Sequence, residues 1–131
     1  MNREILFKAK RKDNGEWVQG LPGYDIDGKI TELEVYKSFC NCQTHVIDSD
    51  TICQYTGLED KNGKKIWEND ILVEKHKGII TMKYRVVFDL EEGAWLLETK
   101  SGARYGIGAV NQKSFEACGN IFDDKELLEV E

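Results

Sequence analysis

The chain has few features of membrane or secreted proteins. Its longest apolar runs are only a few residues, such as Ile71-Leu72-Val73, whereas a membrane helix needs about 20 apolar residues. The opening residues, Met1 to Ile5, carry charges and form no apolar signal-peptide core. The single proline, Pro22, would interrupt a central strand, so we predict a loop there. We expect a cytoplasmic protein with no membrane contact.

The usual catalytic signatures are also missing from the sequence. There is no GxSxG elbow, no HExxH helix and no Walker lysine. The two histidines, His45 and His76, lie in polar, turn-rich contexts, which favours exposure over catalysis. No nucleophile can be paired with a base, so we predict no catalytic residues, no cofactor and no enzymatic activity.

Charge is unevenly distributed. The chain has a net charge of −6, which opposes nucleic acid as a partner. A basic cluster nevertheless occurs near the start, formed by Lys8, Lys10, Arg11 and Lys12. In an extended strand Lys8, Lys10 and Lys12 share one face. We favour a solvated outer face. The alternative is a small patch that binds phosphate or an acidic partner.

Alternation of apolar and polar residues dominates the chain and predicts a mainly β protein. In the first half we predict a hairpin around Asp13-Asn14-Gly15, a tight turn over Ile26 to Ile30, and a strand over Thr31 to Phe39. The segment from Cys40 to Asp50 is polar and irregular, which predicts a flexible loop.

The second half predicts strands at Asp70–Lys75, Ile79–Leu90, Ala94–Thr99 and Arg104–Val110. Short antiparallel strands with tight turns favour a small SH3-like barrel, preceded by an N-terminal β-hairpin region. Short helical pieces are expected near the C-terminus, one at Lys125 to Leu128, capped by Asp123 or Asp124, and another at Asn111 to Ala117.

The length of 131 residues predicts a single domain with one core. Within it we distinguish residues 1–53 as N-terminal hairpins and polar loop, 54–122 as the central motif with the barrel, and 123–131 as an acidic tail.

One segment carries an identity. The residues Gln54 to Leu72 read QYTGLEDKNGKKIWENDIL, and this motif resembles the signature of the YopX family, small soluble proteins of bacteriophages and prophages. The stretches Arg3 to Phe7, Asn14 to Val18 and Gly119 to Phe122 are similar to that family as well. The resemblance implies a phage or prophage origin and brings no established activity.

The signature also has a physical interpretation. Asn62-Gly63 is a strong signal for a type I′ hairpin turn, in which both residues have positive φ. Glu68 and Asp70 could form an acid–base pair. We favour the structural alternative, in which Asp70 accepts backbone N–H groups and fixes a turn. The signature then places Trp67 and Tyr55 beside the barrel.

The four cysteines raise the question of a metal. Cys40, Cys42, His45 and Cys53 supply four residues that can bind zinc. Their spacing lacks the paired two-residue gaps of zinc knuckles, and cytosolic thiols stay reduced. We therefore predict free thiols and no metal site.

Together these features predict a non-enzymatic binding module. Its partner would be a host or phage protein, or a second copy in a homo-oligomer. The competing hypothesis is a nucleic-acid-binding barrel that uses the basic cluster. The residues predicted for the binding surface are Lys8, Lys10, Arg11, Lys12, Tyr55 and Trp67.

Overall fold

The computed structural model describes residues 4–38, 41–107 and 114–129. The chain divides into two compact units, Met1–Tyr55 and Thr56–Glu131. Antiparallel strands dominate both units, so the predicted mainly β fold is confirmed. The prediction of one domain with a single core stays a prediction.

The first unit is built from hairpins. Its strands are β1 (Phe7–Lys10), β2 (Trp17–Tyr24), β3 (Ile30–Ser38), β4 (Asn41–Val46) and the start of β5 (Cys53–Glu59), with a 3₁₀ turn at Ser49–Thr51. Within the sheet they follow the order β4-β3-β2-β1-β5. Apolar residues on alternate positions form the core of this unit, centred on Ala9, Leu33 and Ile47.

Two predictions for the first unit are wrong. The predicted loop at Pro22 is part of β2, where Pro22 lies opposite Leu33 of β3. The β1 pairing covers β2 only from Trp17 to Gly20, so the missing N–H of Pro22 is tolerated much as on an edge strand. The predicted loop after Cys40 contains β4, which pairs with β3.

The second unit holds a five-stranded antiparallel sheet in the order β10-β9-β8-β7-β11. Its strands are β7 (Asp70–His76), β8 (Ile79–Asp89), β9 (Ala94–Glu98), β10 (Arg104–Gly106) and β11 (Phe115–Asn120). The end of β5 and β6 (Lys65–Trp67) precede them. Side chains of several strands form the core, including Leu72, Val86, Leu97 and Phe115.

The finer details of this unit differ from the prediction. In the described residues no pairing joins β10 to β11, so the sheets are open and the predicted closed barrel is not confirmed. The helical piece predicted over Asn111 to Ala117 is wrong from Phe115 onward, because those residues belong to β11. Asn111 to Lys113 lie outside the described residues. The described helix is the single turn α1 (Glu126–Glu129).

The hairpin turns also differ from the prediction. Gly63 has a φ of 79°, but Asn62 does not have a positive φ, so the predicted type I′ turn at Asn62-Gly63 is wrong. A three-residue loop between Asp60 and Lys64 replaces it. The I′ geometry occurs instead at Lys77 and Gly78, whose φ values are 51° and 79°.

Candidate binding surface

The tip of the β7–β8 hairpin exposes large apolar side chains. Ile79 is 70% exposed, Ile80 46% and Met82 38%. Farther along β8 the side chains of Tyr84 and Val86 are buried. The hairpin end of β8 therefore lies in solvent, and the strand enters the core only halfway along its length. The sequence predicts a strand over Ile79–Leu90, and it does not show that the first residues of that strand are exposed.

A groove of about 340 Å³ lies beside the hairpin tip. One wall is formed by β8 and a second by the turn that follows β9, while Leu128 of α1 contributes from the C-terminal side. The Lys83 ammonium donates a 2.9 Å hydrogen bond to the Leu127 carbonyl and so holds α1 against β8. The exposed apolar tip is thus continuous with a concave site.

The predicted basic cluster forms a compact surface around Trp17. The Nζ atoms of Lys8 and Lys10 lie 4.8 and 5.5 Å from the centroid of its ring, a cation–π arrangement. Arg11 pairs with Asp13 at 2.6 Å, and this bond holds the pKa of the Asp13 carboxyl below its ordinary value. The lysines over Trp17 occupy the ring that a nucleobase would need for stacking.

The two aromatic residues predicted for the binding surface do not lie on a surface. Tyr55 is 7% exposed and Trp67 is 5% exposed. Both side chains are therefore part of the protein interior, and assigning them to a contact surface was wrong. In β5 buried side chains alternate with more exposed ones, which places Tyr55 inside. In β6 both Ile66 and Trp67 are buried.

The candidate zinc ligands are not brought together. Cys42 and His45 are three positions apart on β4, so they point to opposite faces of the strand. Cys53 is buried, with its thiol 3.3 Å from the Thr51 carbonyl oxygen. Cys40 lies outside the described residues. In the described part of the chain no group of three metal-binding side chains occurs.

The signature turn is organised by one buried carboxylate. Oδ1 of Asp60 accepts hydrogen bonds from the backbone N–H groups of Asn62 and Lys64, and Oδ2 accepts one from Ala117. Burial alone would raise the pKa of Asp60, but these bonds and the Lys64 charge outweigh it and lower the pKa. The Asp60 carboxylate is therefore ionised, and its role is to stabilise the turn.

A second turn in the signature leads into β7. Oδ2 of Asp70 accepts a 2.9 Å hydrogen bond from the N–H of Trp67, which confirms the predicted role of Asp70 in fixing a turn. Asn69 has a φ of 69°, and its side-chain oxygen accepts a 3.0 Å bond from Arg85. These contacts make the signature a folding element.

The comparison with protein families agrees with the motif. A model of the family described as YopX protein matches residues 6–129, almost the whole chain. The chain belongs to the YopX family. The signature residues Asp60, Asn69 and Asp70 make the hydrogen bonds that stabilise the turns of this structure.

A solved structure extends the comparison to the whole fold. The crystal structure of protein EF1440 from Enterococcus faecalis is similar to this YopX family chain with a TM-score of 0.63. The two are 22% identical, and the similarity covers 97% of this chain and 99% of that one. A search of curated proteins finds no match. At this identity the likeness shows a shared fold.

One further structural property bears on the site. In the described ranges, no helix is long and apolar enough to cross a membrane.

Proposed function

We propose that this YopX family protein is a non-enzymatic binding module whose main contact surface is the tip of the β7–β8 hairpin. It acts as a phage or prophage accessory protein in the cytoplasm of the bacterial host. The partner is a host or phage protein, or a second copy of the chain. We also propose that the strands of the second unit have an SH3-like arrangement. Its consecutive short strands and tight turns support this.

The observation that carries the proposal is the exposure of Ile79 and Ile80 at the hairpin tip. Full burial of such a side chain contributes about 1.5–3 kcal/mol of stabilisation. Because Ile79 and Ile80 remain largely exposed, much of that free energy is available for binding a partner. A cluster of exposed large apolar residues on a folded surface marks a contact site more often than an accident of packing. A projecting hairpin also presents both faces of its strands to a partner.

The test compares three forms of the full chain in parallel. Wild type, the double variant Ile79→Ser with Ile80→Ser, and the control Ile26→Ser are examined by analytical ultracentrifugation and by capture from bacterial lysate with and without nuclease treatment. Ile26 is fully exposed in the other unit, so it matches the chemistry of the change.

We expect wild type and the control Ile26→Ser to self-associate or to capture a protein from the lysate. The double variant should do neither. Equal behaviour of all three forms contradicts the proposal. A signal that disappears on nuclease treatment would favour nucleic acid instead.

The second candidate is binding of nucleic-acid phosphates, without base stacking on Trp17, by the basic cluster, in which the ammonium groups of Lys8 and Lys10 lie side by side. Four cations would give a log–log salt slope of about −3 to −4 on duplex DNA. Fluorescence anisotropy with labelled single- and double-stranded oligonucleotides measures this slope. Submicromolar binding at physiological salt, abolished by Lys8→Glu with Lys10→Glu, would make this candidate the better one.

A further inference from the structure

The outer edge of β4, in the first unit, is an open strand edge among the described residues. β4 is the last strand of its sheet and pairs with β3. The register of these two strands is regular from Cys42 to Val46 and contains no bulge. Along this segment, the backbone N–H and C=O groups of successive residues therefore point alternately toward β3 and toward the outer edge.

Two hydrogen bonds show which residues of β4 present their backbone outward. The N–H of Ile47 donates to a carbonyl of β3, whereas the carbonyl of Val46 accepts a 3.0 Å bond from the N–H of Lys12 on the other side. Alternation back along the strand places the N–H and C=O groups of Thr44 and Cys42 on that same outer side. In the part of the chain that the structure describes, no hydrogen bond reaches these groups.

A groove of about 400 Å³ lies at this edge. It separates the end of β4 from the turn that follows β1, and its lining residues are Arg11, Lys12, Asp13, Thr44, His45 and Val46. Arg11 and Asp13 form an ion pair with each other at 2.6 Å. The groove therefore offers a partner mainly the backbone of β4.

The edge lacks the features that keep other chains from pairing with a strand. Natural edge strands carry lysine, proline or a bulge for this purpose, and the segment from Cys42 to Val46 has none of them. Its side chains are mostly exposed, and Val46 adds an apolar side chain that is 55% exposed. An edge of this kind can accept a further strand through main-chain hydrogen bonds.

We propose that an extended peptide segment of a partner protein adds to the outer edge of β4, with hydrogen bonds to Thr44 and Cys42 and one end in the groove beside Lys12. The segment runs antiparallel to β4, as the chain near Lys12 does. Its side chain opposite Thr44 lies on the same face as Val46, where a β-branched residue packs well. The site belongs to the first unit and does not depend on the hairpin tip of the second.

A second copy of the chain fits this edge less well. If two β4 strands paired symmetrically about Thr44, Cys42 of one copy would lie opposite Val46 of the other. The carbonyl of Val46 is already bonded to Lys12, so the chain at Lys12 occupies the place that the added strand would need. A peptide segment that ends in the groove avoids this overlap.

The probe is a synthetic heptapeptide of alternating valine and threonine that is N-methylated at its second, fourth and sixth residues. These methyl groups leave the probe one edge that can donate hydrogen bonds, so it can add to a strand but cannot build extended sheets. The matched control is the same peptide methylated at every residue. Titration of the ¹⁵N-labelled full chain, followed by NMR, should give a dissociation constant of about 0.1–1 mM for the probe and binding weaker by about tenfold or more for the control.

Amide hydrogen exchange locates the probe on the protein. In the free protein, the N–H groups of Thr44 and Cys42 should exchange faster than those of Gln43 and His45, which face β3. A near-saturating concentration of probe should slow exchange at Thr44 and Cys42 by about fivefold or more. Gln43 and His45 serve as internal controls for the stability of the sheet.

Variants separate the backbone of β4 from its side chains. Thr44→Pro removes the outward N–H and leaves the bonds to β3 in place, so it should weaken binding of the probe by about tenfold or more. Thr44→Val keeps the backbone and should stay within about twofold. Ile79→Ser with Ile80→Ser, at the hairpin tip, should also leave binding within about twofold. The NMR spectrum of each variant shows whether it is folded, and the exchange measurement on wild type decides if Thr44→Pro is not.

Three results would overturn the proposal. They are slow exchange of Thr44 and Cys42 in the free protein, no slowing by millimolar probe, and equal binding of the fully methylated control. Protection of Thr44 that rises with protein concentration would assign the edge to a second copy instead. None of these results bears on the hairpin tip, which is tested separately with Ile79 and Ile80.

Discussion

The carboxylate of Asp60 accepts a 2.9 Å hydrogen bond from the backbone N–H of Ala117, 57 residues farther along the chain. The same side chain closes its own turn through Asn62 and Lys64. One buried charge therefore organises the signature turn and attaches it to β11. Lys61 adds a backbone bond to the Phe115 carbonyl.

The first prediction concerns replacement of Asp60 by asparagine. The amide has one acceptor oxygen, so either the turn or the bond to Ala117 is lost and an N–H is left unpaired. We expect Asp60→Asn to lower the free energy of unfolding by about 1–3 kcal/mol, measured by urea denaturation. Asp25 makes the same turn bonds at an exposed site, so Asp25→Asn should cost clearly less. Equal losses would show that the bond to Ala117 adds nothing.

The second prediction concerns the stability of the fold at acid pH. Because the pKa of Asp60 is lowered in the folded protein, its contribution is fully present above the ordinary value of 3.8. That contribution is lost as the pH falls below 3.8 through the lowered pKa. Urea midpoints measured from pH 6 to pH 2 should therefore fall more steeply for wild type than for Asp60→Asn. Parallel curves would contradict the assignment.

The third prediction tests the I′ turn at the hairpin tip. Lys77 adopts a φ of 51°, which asparagine tolerates better than lysine and a β-branched residue resists. Lys77→Asn should raise stability by about 0.5 kcal/mol, and Lys77→Val should lower it by about 1 kcal/mol or more. Thermal melts measure both changes. A stabilising valine would show that the turn has another geometry.

The fourth prediction concerns the turn before β7. Asn69 combines a φ of 69° with the hydrogen bond from Arg85. Asn69→Ala loses that bond and keeps the strained φ, whereas Asn69→Gly loses the bond but relieves the backbone. The alanine variant should therefore be less stable than the glycine variant by about 1 kcal/mol. The reverse order in chemical denaturation would contradict the role of the backbone.

The fifth prediction concerns metal. Cys42 and His45 point to opposite faces of β4, and Cys53 is buried. Elemental analysis of the purified protein should give no stoichiometric zinc, and a chelator should leave the melting temperature unchanged. About one equivalent of zinc, lost with Cys42→Ser, would contradict this expectation.

Local patterns predicted most of the strands because alternation records which face of a strand is buried. They did not predict β4, whose polar residues pair with β3 by backbone bonds that no side-chain pattern encodes. The turn at Asn62-Gly63 was misassigned because the Asp60 carboxylate makes a longer loop possible. Alternation along β8 could not show where the core ends, so the exposed tip at Ile79 and Ile80 was missed.

The most direct test of the central claim is photo-crosslinking in bacteria that express the full chain. Benzoylphenylalanine is placed at Ile80 on the hairpin tip or, as a control, at the exposed Ile26 of the other unit. The binding-module account predicts discrete protein adducts, visible by mass spectrometry, from position 80 and not from position 26. No adduct from position 80, or the same adducts from both positions, would contradict it.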